Sequence, residues 1–373
     1  MLSDPLCIFG SIGIMAFVCL FFLTMMNEGL PERLPVGVVD HDNSSISRMV
    51  KRELDAGQAI EIVSEYGSYT EARKALQRGE IYAFVEMPDG MYDDLLAYKR
   101  PTITIYANQA YTLGATLAYK QILTMANLAS GAVQREVMRG RGYRDDQIMP
   151  IVQPIVIDTH ILSNPWVNYS VYLSTTIIPG ILGLVVIMFT AFSIIGEMKR
   201  NKARRWLATA NDDINAALAG KLLPYTILFS VLGWTCNILM YKVLHFPMEG
   251  SFWFLNVAMV AYVIAVQCVA VFIVCWLPMP GLSISLCALY GTLSLTLSGF
   301  SYPYEAMLPP FKALTWLVPL RHYYTILVDQ MLMGVPVTNS LFRLAVLLAA
   351  VIAVLPITHR LKNAITDPHY IGD

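Results

Sequence analysis

Four stretches of this chain, residues 172–196, 222–241, 251–277 and 282–300, contain no Asp, Glu, Lys, Arg or His. Each is long enough for an α-helix to cross the hydrocarbon of a bilayer, which takes about 20 apolar residues. A bilayer interior offers no water, so backbone N–H and C=O groups must pair within the segment that carries them, and a helix does this. Two further stretches qualify, residues 6–26 and 341–357. Arg343 interrupts the start of the second, where a side chain near a helix end can snorkel to the headgroups. The pattern predicts an α-helical polytopic membrane protein with six transmembrane helices. Residues 6–26 read as an uncleaved span rather than a signal peptide. They lack a basic leader and a small-residue cleavage site, and the apolar run is too long.

Charge is scarce and unevenly placed. Only 14% of the residues are charged, against about a quarter in an ordinary soluble domain. Residues 27–171 hold 18 Asp or Glu and 14 Lys or Arg, so this segment reads as a water-facing domain inserted between the first and second spans. Within it, strands are predicted at 34–40, 59–63, 81–88 and 101–109, alternating with helices at 45–57, 70–78, 89–97 and 111–141. That alternation predicts a small α/β domain. Residues 151–165 read as extended. Asp40, His41 and Asp42 could hold a metal, and a strand end followed by a helix cap accounts for them equally well; the cap is preferred. The six cysteines all lie in apolar runs without CxxC spacing, as packing residues do. The net charge of −1 gives no argument for a nucleic-acid partner, and none is expected.

Orientation follows the Lys/Arg bias of short loops. The loop at 197–221 carries six basic residues, five of them between Lys199 and Arg205. Placing it in the cytoplasm puts both termini inside and residues 27–171 outside. An energised membrane protein must also show where its energy enters. Ion-coupled carriers and pumps need ionisable groups at membrane depth, and spans two to five have none. HExxH and GxxxxGK[ST] are both absent. An ATPase, if there is one, must be a separate chain.

Two motifs resemble a known family. Residues 298–324, SGFSYPYEAMLPPFKALTWLVPLRHYY, resemble the signature of ABC-2 type transporter permeases, carried here by Gly299, Pro303, Glu305, Pro309, Pro310 and Pro319. Residues 197–225, EMKRNKARRWLATANDDINAALAGKLLPY, resemble that family's loop between spans two and three. Family members usually carry Gly-Thr where this chain has Ala203-Arg204, and Pro where it has Ala210. Losing that glycine favours a helix through 202–207. Residues 3–5 resemble the tail of the amphipathic elbow helix that precedes the first span in the family. With one span, an outer α/β domain and five more spans, the chain is similar to the drug- and hydrophobe-exporter branch, with the type V exporter-like arrangement.

The resemblance implies two permease copies, or a permease and a paralogue, working with two cytoplasmic ABC ATPase subunits that bind the ATP and Mg. This chain would then have no catalytic site, metal or cofactor of its own. The coupling contact would fall on Glu197, Lys199, Arg200, Arg204, Arg205 and Trp206, with Arg and Trp the types most enriched at such contacts. The alternative assigns these cations only to orientation and anionic lipid. Residues 301–340 would form a re-entrant hairpin of two short outer helices, broken by their prolines, followed by the last span and tail at 341–373. A lipophilic substrate, a bacterial inner-membrane location, and a periplasmic adaptor with an outer-membrane channel are further implications. The competing class is a non-transporting receptor or scaffold whose outer domain senses a ligand. It would need a cytoplasmic signalling domain, and only a short tail follows residue 357.

Overall fold

The computed structural model describes residues 5–25, 29–97, 99–154, 160, 168–199 and 202–366. The chain divides into two compact units, Leu30–His160 and the remainder, Met1–Gly29 with Ile161–Asp373. The remainder opens with α1 (Pro5–Met25), a helix without a charged residue.

Leu30–His160 runs β1 (Leu34–Asp40), α2 (Ser45–Asp55), β2 (Ile60–Tyr66), α3 (Tyr69–Arg78), β3 (Ala83–Met87), α4 (Met91–Leu96), β4 (Thr104–Ala107), α5 (Thr112–Gly140) and α6 (Asp145–Val152). The sheet order is β2-β1-β3-β4, with β1 parallel to both neighbours and β4 antiparallel to β3. Strand β1 is buried on both faces, which is why LPVGVV is apolar without alternation. Val36 and Val38 join Val50, Leu54, Ala118 and Ile122 in one core. Val39 and Phe84 join Ala72 and Ala75 of α3 in another.

Asp40 and Asp42 serve the backbone, and His41 faces Glu86, 3.5 Å away. Asp40 Oδ1 accepts from the Asp42 and Asn43 amides at 3.1 and 3.0 Å, and Ser44 Oγ caps α2 by accepting from Ser47 at 3.1 Å. Lys51 Nζ lies 3.1 Å from Asp40 Oδ2, in a pair whose carboxylate is almost wholly buried. Burial pushes the Asp40 carboxyl up, but hydrogen bonds from Asn43, Lys51 and Ser47 outweigh it, and the net shift is downward. A depressed folded-state pKa stabilises the fold above the unfolded value, and that contribution fades as pH falls through the folded one.

The extended reading of 151–165 fails at its start, because Ile151 and Val152 close α6; residues 155–159 and 161–165 lie outside the described set. The cause is a contact the local pattern does not contain. Arg135 and Arg139 of α5 hold Asp145, in the first turn of α6, at 3.0 and 2.5 Å.

In the other unit α1 is followed by α7 (Tyr169–Lys199), α8 (Ala203–Ala208), α9 (Ile214–Ile238), α10 (Phe252–Trp276), α11 (Pro280–Leu297), α12 (Pro309–Thr315), α13 (Pro319–Met331), α14 (Val337–Val354) and α15 (Thr358–Thr366). Among the described residues five helical stretches are long and apolar enough to cross a membrane: Tyr169–Lys199, Ile214–Val243, Phe252–Trp276, Pro280–Leu297 and Val337–Thr366. The apolar part of α1, Phe9–Thr24, is shorter. Helices α7 and α10 lie inside, whereas α9 turns Leu223, Ile227, Val231, Trp234 and Ile238 outward along one stripe. Water would not tolerate so long a bare apolar face, and lipid does.

Helices α7 and α10 approach closely at Gly183, where an added Cβ would collide with the Tyr262 hydroxyl. That hydroxyl donates to the Pro179 carbonyl at 3.1 Å. One sequence reading changes here. Helix α14 starts at Val337, so Arg343 lies in its second turn rather than at a helix end, with its guanidinium 5.1 Å from the Trp316 ring centroid. The aromatic face gives the cation a neighbour that headgroups were expected to supply.

Two substitutions test this packing. Gly183→Leu should lower the thermal midpoint of the detergent-solubilised protein, at a cost of about 1–3 kcal/mol from overpacking; an unchanged midpoint contradicts the α7–α10 approach. Asp40→Ala should speed hydrogen exchange at the β1 and α2 amides at neutral pH by removing about 1–3 kcal/mol. It should have little effect once the pH has fallen below the depressed folded-state pKa, where the wild-type carboxyl is itself protonated.

Candidate functional site

The basic segment after α7 is a short helix clamped between longer ones. Helix α8 directs Ala203 and Leu207, four residues apart, into the core that also holds Met198, Ile214, Leu218, Leu361 and Ile365. The chain then reverses through Asn211 and Asp212, both in the left-handed region at φ 53° and 57°. Asp213 caps α9 by accepting from the Asn215 amide at 2.9 Å.

Side chains fasten this knob from two directions. Lys221, one turn and more into α9, reaches back to Glu197 Oε1 at 2.6 Å and lies 5.4 Å from the Trp206 ring centroid. A single ammonium therefore ties α7, α8 and α9 together. From the other side, Arg204 Nη2 donates to the Thr366 carbonyl at 2.8 Å, and Lys362 Nζ donates to the Asp212 carbonyl at 2.6 Å. Thr358 Oγ1 completes the contact at Asn215 Oδ1, 2.9 Å away. Helix α15 is thus bolted onto the loop.

The residues singled out from sequence separate into two groups. Glu197, Arg204 and Trp206 are engaged within the chain, Trp206 half-buried against the core. Lys199, Lys202 and Arg205 are exposed, and Arg205 makes no hydrogen bond or ion pair among the described residues. Arg200 lies outside the described residues. Lys221, Lys362 and Thr366 were not singled out. Their partners are 24 or more residues away in sequence, and helical periodicity does not encode such pairs.

The second motif forms a compact polar corner. Gly299 has φ 91°, and an added Cβ would meet the Arg321 guanidinium; Arg321 Nη1 donates to the Ser298 carbonyl at 3.2 Å. Pro303 leads into a 3₁₀ turn at Tyr304–Ala306. Tyr304 gathers the cations: Arg321 lies 4.5 Å and Lys312 5.3 Å from its ring centroid. Lys312 also meets Glu305 at 3.5 Å, and the Trp316 indole N–H reaches the Tyr304 hydroxyl at 3.4 Å. The prolines act as helix starters, not breakers. Pro309 and Pro310 open α12, and Pro319 opens α13. First-turn N–H groups have no intrahelical partner, so proline loses nothing there. The far end of α13 is anchored by buried Gln330, which accepts from the Ser251 amide and donates to the Val335 carbonyl, both at 3.0 Å.

Among the described residues neither place assembles a nucleophile, a base and an acid within reach of one another. The first can pass a push applied to α8 into α7, α9 and α15, and the second braces α11, α13 and α14. Removing the shared clamp with Lys221→Met should lower the thermal midpoint at a cost of about 2 kcal/mol, and should leave Glu197 without a partner. It should also raise quenching of Trp206 fluorescence by aqueous iodide; unchanged quenching contradicts the clamp.

No curated protein matches the chain. A family model described as ABC-2 family transporter protein matches residues 6–358, nearly the whole length. On that match the chain belongs to the ABC-2 transporter family, as the multi-pass membrane permease component of an ABC transporter that pairs with an ABC ATPase subunit.

Proposed function

We propose that this chain is the permease of an exporter, moving a lipophilic or amphipathic substrate out of the cytoplasm or the inner membrane. The observation that carries the reading is the α8 knob, where three exposed cations, Lys199 at the end of α7, Lys202 at the α8 cap and Arg205 on α8, surround a helix fastened to α7, α9 and α15. A partner that grips those cations would move α7, α9 and α15 at once. The partner ATPase would bind the ATP and Mg and close on α8 during its cycle.

In this reading α1 is a sixth span, with both termini cytoplasmic and Leu30–His160 on the extracytoplasmic side. The six basic residues of 197–221 support that orientation. Two permease copies, or this chain and a paralogue, would enclose the path. In a cell with two membranes, the outer unit would offer the surface for a periplasmic adaptor and an outer-membrane channel.

The engaged roles of Arg204 and Trp206 make Arg205 the residue to test. Arg205→Glu should leave insertion and thermal midpoint unchanged while lowering ATPase co-purification and transport-linked hydrolysis at least tenfold, about 1.4 kcal/mol or more. Retained ATPase binding and turnover would sink the assignment. Inverted topology in the same variant would instead assign the cations to orientation alone.

A further inference from the structure

Helices α10, α11, α13 and α14 frame a groove of about 650 Å³ that the transport reading does not use. Its walls are hydrocarbon and aromatic, with Phe272 and Trp276 from α10, Leu289 and Leu293 from α11, and Leu347 and Ala350 from α14. Its polar end is different. There Trp316 and His322 line the groove, and His322 Nε2 lies 2.9 Å from the Trp316 carbonyl.

Two cations converge on that end. Arg343 stacks on Trp316, and Arg321 stands beside His322 in the chain, over Tyr304, whose hydroxyl meets the Trp316 indole. Lys312 has Glu305 as its counter-ion, but among the described residues neither Arg321 nor Arg343 forms an ion pair. Among the described residues Glu305 is the carboxylate of this corner, paired with Lys312 and also felt by Arg321, so three cations meet one acidic side chain and the surplus charge calls for an anion. Arg343, Leu347, Ala350 and Val354 fall on one stripe of α14, and the last three line the groove. Arg343 therefore stands at the head of an apolar track about 16 Å long.

We propose that this groove seats a hydrocarbon chain of an anionic phospholipid, with the phosphate held by Arg321 and Arg343. A zwitterionic lipid supplies the chain but not the net charge. A second copy of this protein would have to bring an acidic group into an apolar cleft. The inference rests on the groove and its cations and is independent of the direction or substrate of transport.

The test uses the full permease complex in nanodiscs holding equal amounts of phosphatidylglycerol and phosphatidylcholine, followed by native mass spectrometry of the lipid retained after release. The wild type should keep phosphatidylglycerol in preference by about tenfold. Arg321→Gln with Arg343→Gln should erase the preference, and Ala350→Trp, which fills the track, should lose both lipids. Equal retention by the wild type, or a preference that survives the double substitution, overturns the proposal. If Ala350→Trp splits the complex without changing the lipid retained, a second copy fills the groove and the proposal fails. Should the variants not insert, a photoactivatable phosphatidylglycerol on the wild type decides: label on Phe272, Trp276 or Leu347 supports the site, and label confined elsewhere overturns it.

Discussion

A bilayer gives its guests neither hydrogen-bond partners nor counter-ions, and the membrane unit is arranged around that lack. The backbone closes its own bonds in helices, and charge is driven to the ends of the spans. Among the described residues, some of the neutral polar side chains inside pair across helices. Thr226 Oγ1 donates to Gln267 Oε1 at 2.7 Å, and Asn237 Nδ2 to Asn256 Oδ1 at 3.3 Å. Such pairs hold helices to one another but cannot carry protons or ions across. The places with charge to spend are the α8 knob at one helix end and the corner around Tyr304 and Trp316.

These two places share a construction. In each, a short helix is pinned by cations to the backbone or the rings of longer ones. Lys221 and Lys362 hold the α8 turn, and Arg321 and Arg343 stand around the aromatic pair of the second corner. A short helix has little stability of its own, so its position reports the positions of its anchors. That makes α8 a suitable receiver of force, because displacing it without moving α7, α9 and α15 would break several charge-assisted contacts.

Much of this was legible in residues taken in order. The charge-free runs specify helices because nothing else satisfies their backbone in lipid, and continuous apolar strands with polar breaks specify a sheet covered on both faces. Local caps could be read as well: Ser44 begins α2, and Gly79, at φ 75°, ends α3. The rest depends on contacts between distant residues. Helix α6 exists where extended chain was read because Arg135 and Arg139 reach Asp145. Arg343 can sit a full turn deeper than expected because Trp316 covers it. Trp206 has the type and setting of a contact residue but is half-buried under Lys221, and Arg204 is taken up by Thr366. Of the candidate contact residues, sequence could give the segment, and only the packing separates those that hold it from those that face outward.

The central claim is that an external ATPase pushes on the exposed face of α8. A photo-crosslinking amino acid placed at Arg205, and as a control at Tyr302 beside the second corner, tests it directly in intact cells. The account predicts an adduct with the ATPase subunit from position 205, changed by trapping ATP, and none from position 302. An ATPase adduct from 302, or none from 205 under any nucleotide condition, would contradict it.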